Sequence, residues 1–129
     1  MTDLGGAVVL GVYQALANGV TLAPVYSVPP EGTLPPVAIL AETTIEDHST
    51  KDQVLEQHSV QVLSIVQGSS RAALFALMRQ VKDALHDQPI AAPGAGLSPP
   101  RFQHASEVIE PDGETMIGTS HFLVFAWPQ

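Results

Sequence analysis

The chain has 129 residues, 45% of them hydrophobic, which is enough for one domain with a real core and excludes a disordered chain. It has no cysteine, which excludes disulfides and thiolate chemistry. The formal net charge is −8, and all five basic residues (Lys51, Arg71, Arg79, Lys82, Arg101) fall between positions 51 and 101, a distribution that argues against a phosphate-gripping surface for nucleic acid.

Residues 4–18, LGGAVVLGVYQALAN, predict a helix, because Leu4, Val8, Val12, Ala15 and Leu16 recur at spacings of three and four. Asp3 is placed to cap it and Asn18-Gly19 to close it. Gly5, Gly6 and Gly11 weaken it, by up to about 1 kcal/mol each relative to Ala. The apolar run lacks a basic flank and falls short of the roughly 20 residues of a membrane span, so neither a signal peptide nor a transmembrane helix is expected, and synthesis in the cytoplasm is. A short strand follows at 24–28 and stops at Pro29-Pro30. The β-branched run VAILAETTI predicts a second strand over 37–45, and the polar EDHSTKDQ a turn. From about Val54 to Gln67 a third strand alternates, with Val60, Val62 and Val66 on one face and Leu63 and Ile65 on the other.

The segment SSRAALFALMRQVKDALHDQP carries the clearest helical signal. Leu74, Leu77, Met78, Val81 and Leu85 form one apolar stripe, Ser69 or Ser70 is placed to cap its start, and Pro89 stops it. Lys82 and His86 stand near its C-terminal end, where positive charge is favourable. Residues 91–100, AAPGAGLSPP, read as a loop. A long hairpin closes the chain, turning at Pro111-Asp112-Gly113. The order predicts an α+β fold in one domain over 1–129: a mostly antiparallel sheet of about four to five strands, with two helices packed on one face.

No spacing among His48, His58, His86, His104 and His121 matches a known metal signature, although His58, His104 and His121 could meet across neighbouring strands. The acid, His and Ser of EDHST are adjacent, whereas a triad needs groups converging from separate elements. GGAVVLG follows no strand and does not match a dinucleotide fingerprint. No catalytic, cofactor or metal residue is therefore assigned. The final strand is more informative. Phe122 and Val124 face one way, and Leu123, Phe125 and Trp127 the other. One face can lie under the helices, and the other needs a second cover or stands as the edge of a compact monomer. Only 14% of residues are charged, against roughly 25% in typical domains, which favours burial against another subunit.

LMRQVKDALHDQPI resembles the helix of small phage tail-completion proteins, and RFQHASEVIEPDGETMIGTSHFLVF their closing hairpin. VYQALAN, LPPVAIL and LEQHSVQVLSIVQGSSRAALFAL fit the same order, so the resemblance covers most of the chain. The family is similar to the tail terminators of long-tailed phages and gene transfer agents. The resemblance implies a ring-forming subunit, usually six-fold, in the virion at the head–tail junction. Such a ring caps the tail tube and meets the head connector or stopper protein. DNA passes through without specific binding, and no catalytic residue, cofactor or membrane is involved. On that reading Glu46, Asp47, Asp52 and Glu56, offset only by Lys51, form a mobile lumen loop that repels DNA, with a solvated outer loop as the alternative. Phe122 and Val124, or Phe125 and Trp127, are then expected to meet a neighbouring subunit or the tail tube. Another connector ring (an adaptor or stopper) and a small metal-dependent hydrolase are the competing functions.

Overall fold

The computed structural model describes residues 3–68 and 70–129. Helix α1 spans Leu4–Gly19 and is followed by the two-residue strand β1 (Val25–Tyr26). Strands β2 (Val37–Asp47) and β3 (Glu56–Gln67) form a hairpin, and helix α2 spans Arg71–Leu85. Strands β4 (Ala95–Leu97), β5 (Arg101–Ile109) and β6 (Thr115–Pro128) complete the chain. The six strands form one sheet in the order β1-β2-β3-β6-β4, with β5 also pairing with β6. Every pairing is antiparallel except β1 with β2, which is parallel, so the sheet is mixed. The parallel pair follows from the connection: residues 27–36 carry the chain away from β1 and back before β2 begins, which a tight hairpin cannot do.

Both helices lie on one face of this sheet. Leu4, Val8, Val12 and Leu16 of α1 and Leu74, Leu77, Val81 and Leu85 of α2 are buried there. They form one cluster with Leu40 of β2, Val60 and Val62 of β3, and Phe122 and Val124 of β6. The stripe read from the α2 sequence is thus the face that packs, with Met78 half-buried at its margin. Asp3 caps α1, its Oδ1 accepting from the Gly6 N–H at 2.9 Å. Ser70 stands at the α2 cap but contributes no side-chain hydrogen bond; its carbonyl accepts from Ala73 and Leu74 instead. Ser69 lies outside the described residues.

Three departures from the sequence reading have physical causes. First, β1 is two residues long, not five, because only Val25 and Tyr26 register against Ala38 and Ile39. Second, β2 runs on to Asp47 through a register shift between Leu40 and Thr43, so part of the polar turn is strand. Third, the segment read as a loop contains β4. Gly96 faces Trp127 across the ladder, and a Cβ at Gly96 would overlap Nε1 and Cε2 of the indole. The missing side chain is what lets the strand pair with β6 while the ring lies over it.

Candidate functional site

Away from the helices, the sheet presents a second face. Alternation along β6 puts Ile117, Thr119, His121, Leu123, Phe125 and Trp127 there, all half-buried. Register fixes the rows across strands. Val37, Ile65, Ile117 and Val108 stand side by side on β2, β3, β6 and β5. Ile39, Leu63 and Thr119 form the next row. Val108 is 53% exposed and Ile65 and Ile117 are half-buried, so this end of the face carries an aliphatic patch with no helix over it. Further along, His104 and His121 stack with ring centroids 4.3 Å apart and planes 16° from parallel.

The four apolar residues expected at an interface separate by face. Phe122 and Val124 are core residues, 1% and 0% exposed, with Phe122 edge-on to Phe102 at 5.6 Å. Beneath the helices they cannot meet a neighbour in this fold, which corrects that half of the expectation. Phe125 and Trp127 lie on the helix-free face but have partners in their own chain. Trp127 covers Gly96, and the ring of His48 meets that of Phe125 edge-on at 6.1 Å. The alternation was legible in the sequence; which parity lay under the helices depended on long-range pairing and was not. The aliphatic patch of Ile65, Ile117 and Val108 was missed as a surface. Its signal was the double-sided apolar character of the third strand.

The acidic residues are gathered at the end of the β2–β3 hairpin. Glu46 pairs with Gln57 and Asp47 with Glu56, while Asp52 and Lys51 lie in the connecting turn. That turn is hydrogen-bonded: the His48 N–H donates to the Leu55 carbonyl and the Thr50 N–H to the Gln53 carbonyl, each at 2.8 Å. Hydrogen bonds from Ser49, its side chain first and its backbone N–H second, hold the Asp47 carboxyl below the usual carboxylate range. Glu56 Oε1 and the buried His58 Nε2 share a hydrogen bond of 2.9 Å. His58 therefore points to the helix side, away from His104 and His121. Among the described residues no three His, Asp or Glu side chains form a group able to hold a metal ion.

The opposite flank differs in charge. Arg71, Arg79 and Lys82 are on α2 and Arg101 is on β5. Arg71 Nε reaches Glu107 Oε2 at 3.3 Å, and Lys82 Nζ lies 4.5 Å from the centre of the Phe102 ring. The His86 Nδ1 accepts from the Phe102 N–H at 3.1 Å and ties the end of α2 to the start of β5. Between α2 and β5 runs a groove of about 460 Å³, lined by Phe75, Met78, Arg79, Lys82 and Phe102 among others. Phe75 is 49% exposed. Sequence reasoning missed this groove, although Phe75 standing off the apolar stripe of α2 was a visible sign.

No helix among the described residues is long and apolar enough to cross a membrane. No curated protein matches the chain. Among solved structures, the fold is similar to a chain in the virion of a native gene transfer agent particle. That likeness has a TM-score of 0.86 and 22% identity, covering 98% of this chain and 99% of the other. The model of the tail completion protein gp17 family matches residues 9–125. With nearly the whole fold inside that match, the chain belongs to the tail completion protein gp17 family.

Proposed function

We propose that this chain is a structural virion protein whose copies close into a ring, hexameric by the resemblance, on the end of a tail tube. The ring caps the tube and offers its other side to the head connector of a phage or gene transfer agent particle. The observation that carries this reading is the family match over residues 9–125, supported by the likeness in fold to a chain of a gene transfer agent virion. The surface agrees with a subunit made for assembly. Only 14% of residues are charged, and the patch around Ile65, Ile117 and Val108 has no helix over it. Apolar surface of this kind is unfavourable in water and favourable against a partner. We assign this helix-free face, with Phe125 and Trp127 at its far end, to the tail tube. The net charge of −8 suits a channel through which DNA passes without sticking. The work of such a ring is binding and closure, and no reaction is assigned to it.

The test is electron microscopy of particles produced without the chain. Tails of uncontrolled length, not joined to heads, are expected. Normal tails attached to heads would contradict the proposal. Tails of normal, uniform length beside detached heads would point to another ring of the connector.

A further inference from the structure

The polarity of charge across the subunit says how one copy meets the next. Residues 42–56 carry Glu42, Glu46, Asp47, Asp52 and Glu56 against Lys51. Four of the five basic residues lie on α2 and β5. In the sheet order, β2 and β5 stand on opposite sides of the β3–β6 pair. The elements α2 and β5 also hold Asp83 and Glu107, so they carry a net +2, while residues 42–56 carry a net −4: one flank is acidic and the other has a modest excess of positive charge.

The two flanks also match in their apolar content. On the hairpin, Ile45 is 53% and Val54 48% exposed, each next to or near carboxylates. Across the molecule, the α2–β5 groove offers Phe75, Met78 and Phe102, with Arg79, Lys82 and Asp83 also in its lining, two cations against one carboxylate. The side chain of Glu46 is 68% exposed and that of Arg79 82%, so both are accessible. Asp83 stands 3.8 Å from Arg79, an exposed pair of little strength that a better-placed carboxylate can replace.

Resting on the ring reading above, we propose that the β2–β3 hairpin of one copy docks in the α2–β5 groove of a second copy. Ile45 or Val54 sits against Phe75, and Glu46 and Asp47 meet Arg79 and Lys82. The two patches differ, so the contact is head-to-tail, and repeated with a closing rotation it makes a ring. Opposite charges would also steer the encounter and suppress the reversed orientation. A lumen position for the same carboxylates is the competing outcome.

The test uses two charge-reversed chains, Glu46→Lys/Asp47→Lys and Arg79→Glu/Lys82→Glu, supplied to cells that make particles but lack the natural chain. Circular dichroism and thermal unfolding of each purified chain establish that the fold is kept. Either variant alone puts like charges across every contact, and the yield of head-joined tails should fall at least about tenfold, as one such repulsion is worth more than about 1.4 kcal/mol. Supplied together, the two variants alternate around the ring with opposite charges at every contact, and the yield should recover towards that of the natural chain. Two folded variants that each support normal yield would overturn the proposal. So would two that fail both singly and together. If Glu46→Lys/Asp47→Lys gives normal tails that do not deliver DNA, the carboxylates belong to the lumen and docking is wrong. If cells lacking the chain altogether make normal head-joined tails, the ring reading itself fails, a result separate from all of these.

Discussion

Replacing Gly96 by Ala tests how the last strand is held. The added Cβ would overlap Nε1 and Cε2 of Trp127, and a rigid indole cannot yield by a small rotation. The ring must leave its seat, or β4 must part from β6. Overpacking of this kind costs about 1–3 kcal/mol. Unfolding entropy near 2.1 cal/mol/K per residue gives about 0.27 kcal/mol/K for 129 residues, so Tm should fall by about 4–11 °C. Trp127 is the sole tryptophan, which makes its fluorescence a reporter of this one contact. Emission should shift to the red in the folded state as the indole becomes wetter, alongside the drop in Tm. An unchanged emission maximum with Tm within about 1 °C of the natural chain would refute the reasoning, because an occupied seat cannot accept a methyl group at no cost.

Phe122→Asp should abolish cooperative unfolding, since it buries an unpaired carboxylate under both helices, whereas Ile117→Asp should fold and fail to cap tails; circular dichroism and electron microscopy separate the two. Ser64 Oγ is buried with no hydrogen-bond partner among the described residues, so Ser64→Ala should leave stability unchanged or raise it by about 1 kcal/mol in chemical denaturation. Backbone N–H groups of Thr115 and then Glu114, and the Thr115 hydroxyl, hold the Asp112 carboxyl below its ordinary value of 3.8. Its contribution is fully present above that ordinary value and lost as pH falls through the lower folded one. Asp112→Asn should therefore lower Tm at neutral pH, and the gap to the natural chain should close in acid.

Local signals carried most of the fold. The 3.6-residue stripe of α2, the alternation of β3 and the Pro-Asp-Gly turn before β6 each depend on neighbours in sequence, and each was readable. What escaped depended on distant partners. β4 exists because Gly96 meets Trp127, 31 positions away, and three residues with a glycine at their centre carry no strand signal of their own. β1 is parallel because of where the chain returns, which the run VYSV cannot announce. The candidate surfaces divided in the same way. The acidic residues were visible as a cluster and the structure does bring them to one hairpin end, but the hydrogen bonds across its turn, His48 to Leu55 and Thr50 to Gln53, were not foreseen. Phe122 and Phe125 were equally good interface residues in sequence, and only the placement of both helices on the even-numbered face of β6 separates them. Of the α2–β5 groove only Phe75, off the stripe of α2, was a local sign; Lys82 and Phe102 come together only through the packing of α2 on β5.

The most direct test of the central claim is to locate the chain in intact particles. Electron microscopy of particles carrying a tagged copy should show a single ring of subunits between the last layer of the tail tube and the head connector. Density for the tag at the far tip of the tail, along the tube or inside the head would contradict the account.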